Sequence, residues 1–143
     1  MIGATITINI SRRPSDVFSY ISNFANNPKW QGGMVEAYFT TEPPTRVGSE
    51  YTQVARFLGR HIESTFKVIE YEPGRLIKAT TVASTFPITF TRIVEPEKSG
   101  SRVTAIVEGD ASGVYKLAEP LMTKKVRASV TKDYQRLKKI LEG

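Results

Sequence analysis

Few residues of this 143-residue chain have the types and spacing that chemistry requires. There is no cysteine, which excludes a cysteine nucleophile, a thiolate metal ligand and a disulfide. The single histidine does not make the usual zinc site, because such sites draw several His or Cys ligands together. No glycine-rich loop leads from a predicted strand into a helix, so nothing predicts nucleotide binding. We therefore expect no metal and no cofactor.

His61 is the one candidate for imidazole acid–base chemistry. Strand alternation puts it on the polar face of its predicted strand, opposite to Ile62, Ser64 and Phe66. We expect His61 to face solvent beside the turn at Gly59, although a register shift at that turn would point it inward as a catalytic base. The acidic side chains lie on different predicted strands, and their spacing brings no pair together: Glu36, Glu50, Glu63, Glu108 and Asp110.

Binding of an apolar molecule has more support than catalysis. Tyr51 and Gln53 share one face of a predicted strand, and Phe86, Ile88 and Phe90 share one face of another. Such aromatic side chains provide a large apolar surface, and plain core packing accounts for most of them. The candidates for lining a ligand cavity are Trp30, Tyr51, Phe57, Phe66, Phe86, Phe90, Arg92, Met122 and Val126.

Arg92 follows Phe90 on the same predicted strand face and has two interpretations. If that face points inward, Arg92 is a buried or rim cation that pairs with a ligand carboxylate or phenolate, because an unpaired buried charge is costly. Alternatively a bulge turns it outward, or its stem covers apolar surface while its head stays in water. We favour the outward interpretation.

The only tryptophan, Trp30, stands in the segment NNPKWQGGM, between a proline and two glycines. These chain breakers predict a loop. From a loop, Trp30 either lines one end of a cavity, with its indole N–H reaching water or a ligand, or plugs the core. We expect the lining role. Gly32 and Gly33 then let the chain turn sharply into the next strand.

The elements that position these residues follow from two periodicities. The segment ATITINI alternates as a half-buried strand, and SRRPSDVFSYISNF has the proline and the apolar stripe of a short helix that stops at Asn26-Asn27-Pro28. Turn residues separate the later strands; Pro73 and Gly74, for example, fit a type II turn. These six strands span residues 34–41, 49–58, 60–72, 75–82, 86–95 and 102–111.

From Val114 to Glu142 the pattern is that of one long helix, with Pro120 near its start or at a kink. Its apolar stripe recurs every three or four residues, at Ala118, Met122, Val126, Val130, Tyr134, Leu137 and Leu141. So long a helix needs a broad partner, and the concave face of a curved sheet is the one available. A sheet wrapped around a helix leaves space between them, which predicts a ligand cavity.

The net charge of +6 raises the question of an anionic partner. Seven basic residues lie in the last twenty positions, where they fit the solvated outer face of a helix better than a nucleic-acid patch, because no aromatic residues are interleaved for base stacking. The segment MIGATITINI has neither the basic start of a signal peptide nor the apolar run of a membrane span. We expect a cytoplasmic protein with no nucleic-acid partner and no stable membrane insertion; a homodimer stays open.

Four segments carry a family resemblance: RPSDVFSYISNFANNPKWQGG, VGSEYTQVARFLGRHIESTFKVIEYEPGRLI, FPITFTRIVEPEKSGSRVT and YQRLKKILEG. In order and spacing they resemble the polyketide cyclase/dehydrase and lipid-transport group of the START-like (SRPBCC) superfamily. The resemblance implies one α+β domain over residues 1–143 with a helix-grip fold. In that fold a seven-stranded curved antiparallel sheet wraps around a long C-terminal helix, with two short helices after the first strand and a hydrophobic cavity inside.

Such a family does not imply one activity, because its members bind lipids, polyketides, hormones and other apolar molecules, and only some catalyse cyclisation or dehydration. Our first expectation is a binder or carrier of a small hydrophobic molecule. The alternative is a polyketide cyclase or dehydratase-type enzyme that uses Tyr51, His61 or Arg92 to polarise a carbonyl. A protein-interaction module on the outer sheet face is third. An enzyme needs a titratable group with a perturbed pKa inside the cavity, whereas a carrier does not.

Overall fold

The computed structural model of the protein describes residues 2–57, 59–84, 87–109 and 119–143. Within these residues one antiparallel sheet has seven strands, β1 (Ile2–Ile10), β2 (Met34–Phe39), β3 (Glu50–Phe57), β4 (Arg60–Glu72), β5 (Leu76–Ala83), β6 (Ile88–Glu97) and β7 (Gly100–Gly109). The described helices are α1 (Pro14–Ser22), α2 (Asn27–Trp30) and α3 (Glu119–Glu142), and a 3-10 turn at Phe24–Asn26 precedes α2. The predicted α+β helix-grip architecture is confirmed.

The strands are ordered β1-β7-β6-β5-β4-β3-β2, so β2 to β7 form a meander, and β1 is the edge strand beside β7. β1 pairs along its whole length, from Ile2 opposite Gly109 to Ile10 opposite Ser101. The pairing of β4 with β5 shifts register twice, first next to Thr65 and again after Val68. Irregularities of this kind bend a strand and increase its twist. The sheet therefore curls and presents a concave face.

The turn between β4 and β5 has the predicted type II features. Gly74 has a φ of 77°, and the N–H of Arg75 donates to the carbonyl of Glu72 at 3.0 Å. A type II turn requires a positive φ at this position, which glycine adopts without a steric cost.

Helix α1 begins at Pro14, whose fixed φ suits a first helical turn. Its predicted stripe, Val17, Phe18 and Ile21, is buried, and so is Phe24 in the 3-10 turn that follows. These side chains join one continuous core with the sheet and α3. The sequence pattern therefore identifies the face that α1 packs inward.

Helix α3 lies along β1 and covers the concave side. The helix was predicted over 114–142; its described part begins at Glu119, and residues 114–118 lie outside the described residues. Pro120 is the second residue of that part, so it stands near the predicted start. Tyr134, Leu137 and Leu141 of the predicted stripe are buried. None of the helices in the described ranges has both the length and the apolar content of a membrane span.

Candidate functional site

A cavity of about 200 Å³ lies between the sheet and α3. The strand faces that were predicted to be apolar form its walls, with Tyr51, Gln53 and Ala55 from β3 and Ile62, Ser64 and Phe66 from β4. β6 contributes Ile88, Phe90 and Arg92, and α3 contributes Val126, Val130, Asp133 and Tyr134. The cavity therefore has apolar and aromatic walls with a few polar groups among them.

Five of the nine candidate lining residues predicted from the sequence line this cavity, namely Tyr51, Phe66, Phe90, Arg92 and Val126. Phe86 and the side chains of Phe57 and Met122 lie outside the described residues. Trp30 is described and is not among the lining residues.

The outward interpretation of Arg92 is wrong. The residue is only 3% exposed, and its pairing with Ile77 on β5 and Ala105 on β7 continues without a bulge, so the side chain stays on the inner face. Its Nη1 donates to the carbonyl oxygen of Ile21 at 2.9 Å and to Oδ1 of Asn27 at 3.5 Å. Helices α1 and α2 therefore supply acceptors for the guanidinium inside the protein.

Aromatic rings surround the same guanidinium. Its central carbon lies 4.6 Å from the ring centroid of Phe90, 4.9 Å from that of Trp30 and 5.6 Å from that of Phe24. Cations are attracted to ring faces at these distances. Among the described residues no carboxylate forms an ion pair with Arg92. The charge is thus held by neutral acceptors and ring faces.

Trp30 fills the core behind the cavity, as the alternative interpretation proposed. Its exposure is 0%, and its ring packs edge-on against Tyr134, with centroids 4.9 Å apart and planes at 71°. Its carbonyl oxygen accepts from Nη1 of Arg136 at 2.8 Å, which ties the end of α2 to α3. Trp30 is held in place by α2, α3 and Arg92, and it supports two lining residues rather than forming the wall itself.

Two polar atoms on β3 are buried at the cavity without a hydrogen-bond partner among the described residues, the hydroxyl of Tyr51 and Oε1 of Gln53. The Tyr51 ring stacks on the Phe66 ring, with centroids 5.1 Å apart, and also packs on the Phe24 ring, whose centroid lies 4.2 Å from that of Tyr51. Burial raises the pKa of Tyr51 far above its usual value, although the charge of Arg92 lowers it in part. Tyr51 is therefore a neutral phenol that can donate or accept a hydrogen bond.

Asp133 is a cavity residue that the sequence interpretation missed. Its Oδ1 accepts from the backbone N–H of Gly32 at 2.9 Å and lies 3.4 Å from Nη1 of Arg136. Burial raises the pKa of Asp133 to about 6, opposed by the Gly32 hydrogen bond and by the charges of Arg136 and Arg92. The sequence did contain a signal for this position. Asp133 stands three residues after Val130 and next to Tyr134, so helical spacing puts it at the edge of the apolar stripe of α3.

His61 is exposed on β4, as predicted, and does not line the cavity. Its Nε2 accepts from Nε of Arg56 at 3.4 Å. Four acidic residues were predicted to lie apart on different strands, and these described carboxylates do not line the cavity either: Glu36, Glu50, Glu63 and Glu108. No group of three or more His, Cys, Asp or Glu side chains in the described ranges is arranged to hold a metal ion.

Chemically, the cavity offers an apolar body with polar groups of defined character. Arg92 is a fixed cation, Tyr51 a neutral donor and acceptor, and Asp133 a carboxyl group whose proton leaves near neutral pH. This set can orient a polar group of an apolar molecule, and it can polarise a carbonyl oxygen.

Solved structures share this fold at low sequence identity. A START superfamily protein from Mycobacterium smegmatis has a TM-score of 0.82 at 12% identity, over 98% of this chain and 97% of that one. A protein from Thermus thermophilus has a TM-score of 0.75 at 14% identity, over 94% of this chain and 95% of that one. The di-domain ARO/CYC BexL from the BE-7585A biosynthetic pathway has a TM-score of 0.75 at 19% identity, over 96% of this chain and 45% of that one.

At the level of sequence, none of the curated proteins matches the chain. The family model described as "Polyketide cyclase / dehydrase and lipid transport" matches residues 1–142, which is nearly the full length. The match spans every strand and helix that encloses the cavity. By this match the chain belongs to the polyketide cyclase/dehydrase and lipid transport family.

Proposed function

We propose that the protein binds or carries a small hydrophobic molecule, of lipid, polyketide or aromatic type, in the cavity between the sheet and α3. The observation that carries this proposal is the cavity itself, with aromatic walls from β3, β4 and β6 and few polar groups. Ligand sites of this kind combine a largely apolar lining with a small number of polar groups that fix orientation.

The size of the cavity favours a compact ligand. Its volume of about 200 Å³ is below the roughly 300–1,000 Å³ that is usual for sites of drug-sized ligands. A molecule with one to three aromatic rings, or a short acyl chain, suits this space better than a long lipid.

A cavity-filling variant with a matched control tests the proposal. Ala55 lines the cavity, whereas Ala128 is exposed on α3. We expect the neutral fluorescent probe N-phenyl-1-naphthylamine to bind the wild type and Ala128→Phe with similar affinity, and to bind Ala55→Phe at least about tenfold more weakly. Native mass spectrometry after mild purification should show a co-purified small molecule in the wild type that Ala55→Phe lacks. Probe binding that is equal in all three proteins would refute the cavity as the site.

A cyclase or dehydratase-type reaction on a similar ligand is the second candidate. The observation that favours it is Asp133, a cavity carboxyl with a pKa raised to about 6, near the charge of Arg92. A group poised near the working pH is suited to general acid–base catalysis. His61 is exposed, so of the residues predicted to polarise a carbonyl only Tyr51 and Arg92 remain candidates.

Turnover separates the two candidates. Incubation with an aromatic β-hydroxy ketone and mass spectrometry for loss of water should show acceleration only if the protein is an enzyme. In that case Asp133→Asn should lose the acceleration and still bind N-phenyl-1-naphthylamine. Binding of the ketone without any acceleration supports the carrier.

A further inference from the structure

We infer that the ligand carries a carboxylate or a comparable oxyanion and that Arg92, with the hydroxyl of Tyr51, holds it. This inference rests on the proposed function and makes it more specific. The molecule expected in the cavity is an aromatic or short aliphatic acid, or a phenol that ionises on binding, rather than a neutral hydrocarbon.

The first observation is a buried cation without a counter-charge. Arg92 is buried, and it is one of the residues that line the cavity. Its hydrogen-bond partners, the Ile21 carbonyl, the Asn27 side-chain oxygen and the Tyr134 hydroxyl, are neutral. Burial also raises the pKa of Tyr134, so this neighbouring phenol brings no negative charge. A buried charge without an opposite charge is costly, so an anionic group in the cavity would meet a cation with which no carboxylate of the described residues forms an ion pair.

The second observation is that Asp133, the acid among the described residues that line the cavity, is engaged elsewhere. Asp133 also lines the cavity, but its carboxylate oxygen accepts from the Gly32 N–H and faces Arg136. Arg92 acts on Asp133 only through its field, and the two form no ion pair. The positive charge at Arg92 is therefore open to an anion from the ligand.

The third observation is a donor beside the cation. The hydroxyl of Tyr51 is fully buried and has no partner among the described residues, and Arg92 lies close enough to lower its pKa. Burial keeps the phenol neutral, so Tyr51 retains its O–H, and both Tyr51 and Arg92 line the cavity. A guanidinium and a hydroxyl can each donate to a carboxylate, which has two acceptor oxygens, and such charge-assisted hydrogen bonds are stronger than those between neutral groups.

A pair of ligands with the same shape and different charge tests this inference. 2-Naphthoate and 2-naphthamide fill the same volume, and the first is an anion well above the pKa of its acid. Isothermal titration calorimetry on the wild-type protein should give an affinity for 2-naphthoate at least about tenfold above that for 2-naphthamide. The reason is that charge-assisted hydrogen bonds form with the carboxylate and not with the neutral amide. Equal affinities would overturn the inference.

Two variants then assign the preference to Arg92. Arg92→Gln should lower the affinity for 2-naphthoate to that of 2-naphthamide. Asn27→Asp keeps the side-chain shape and places a carboxylate oxygen where Asn27 Oδ1 lies, 3.5 Å from Nη1 of Arg92. This internal counter-ion should also abolish the preference, even if Arg92→Gln fails to fold. The matched control is Asn23→Asp, which adds the same charge at an exposed position and should keep the preference.

The outcomes separate this inference from the function on which it rests. If N-phenyl-1-naphthylamine and 2-naphthamide bind and 2-naphthoate binds no better, the inference is wrong and the proposed function stands. If the preference for 2-naphthoate survives in Asn27→Asp, Arg92 is not its source and the inference is wrong. If none of these three molecules binds the wild type, the proposed function fails, and the inference fails with it.

Discussion

The guanidinium carbon of Arg92 lies 4.9 Å from the centroid of the Trp30 ring. Both side chains are buried, and they come from elements that are far apart in the chain, β6 and α2. The contact joins the cation that lines the cavity to the aromatic residue that plugs the core behind it. This contact, together with the packing on Tyr134, accounts for the full burial of a tryptophan that stands among chain breakers.

Trp30→Phe tests the supporting role of this side chain. We expect a loss of about 1–3 kcal/mol in the free energy of unfolding, because a smaller ring leaves space against Arg92 and Tyr134. Affinity for N-phenyl-1-naphthylamine should change by less than about threefold, because Trp30 does not line the cavity. Urea unfolding and probe titration check both. Loss of probe binding with the fold intact would restore the lining role predicted from the sequence.

Leu137→Ala tests the packing of α3. Leu137 has 0% exposure, whereas Ile140 on the same helix is 42% exposed. We expect Leu137→Ala to cost about 2–5 kcal/mol, and Ile140→Ala to cost about 0.5 kcal/mol or less. Urea unfolding of both variants measures the difference. Similar costs at the two positions would mean that the stripe of α3 is misassigned.

Asp133 makes stability depend on pH. Burial raises its pKa from 3.8 to about 6, so the folded protein holds this proton more tightly than the unfolded chain. Its contribution is therefore fully present below about pH 4 and is lost as the pH rises through about 6. Relative to the wild type, Asp133→Asn should be more stable at about pH 7.5 than at about pH 5, by about 1 kcal/mol once solvent screening is allowed for.

Urea unfolding of the wild type and Asp133→Asn at both pH values measures this difference. Other carboxyl groups, such as that of Glu72 with its lowered pKa, are present in both proteins, so their pH dependence cancels. The opposite sign, with Asp133→Asn relatively more stable at the lower pH, would show that the hydrogen bond from Gly32 outweighs burial.

Gly33→Ala tests the sharp turn into β2. Gly33 has a φ of 80°, and a Cβ there would lie 2.8 Å from the carbonyl oxygen of Arg56. Gly74 has a similar φ of 77° but has open space around a Cβ. We expect Gly74→Ala to cost about 1 kcal/mol and Gly33→Ala to cost clearly more, because only the second adds a backbone clash to the strain of positive φ. Equal thermal unfolding midpoints for the two variants would contradict the clash.

The basic face of α3 gives a prediction about charge. Lys124, Lys125 and Arg127 are exposed, as expected for a solvated outer face. Binding to duplex DNA or to anionic vesicles should therefore be weak and should vanish near physiological salt, at about 0.15 M. Fluorescence anisotropy and vesicle sedimentation measure this. Tight binding at that salt, lost when the three residues are replaced by Gln, would instead indicate an anionic macromolecular partner.

The sequence by itself determined the faces of the elements. Alternation along β3 and β4 predicts which side chains of these strands point to the cavity, and the stripe of α3 predicts Tyr134, Leu137 and Leu141 as buried. Pro73 and Gly74 predict the turn between β4 and β5, because their own backbone preferences match its two central positions. These properties depend on the period of the backbone and on local steric limits, both of which can be read from neighbouring residues.

Only the tertiary structure decided which groups meet across the cavity. Arg92 finds the carbonyl of Ile21 at 71 residues of separation, and Asp133 finds the N–H of Gly32 at 101. Strand alternation correctly predicted that Arg92 shares a face with Phe90. The outward interpretation was wrong because acceptors from α1 and α2, together with three aromatic rings, stabilise the buried charge. A local pattern reports the direction of a side chain; the cost of burying its charge depends on partners that only the folded chain brings close.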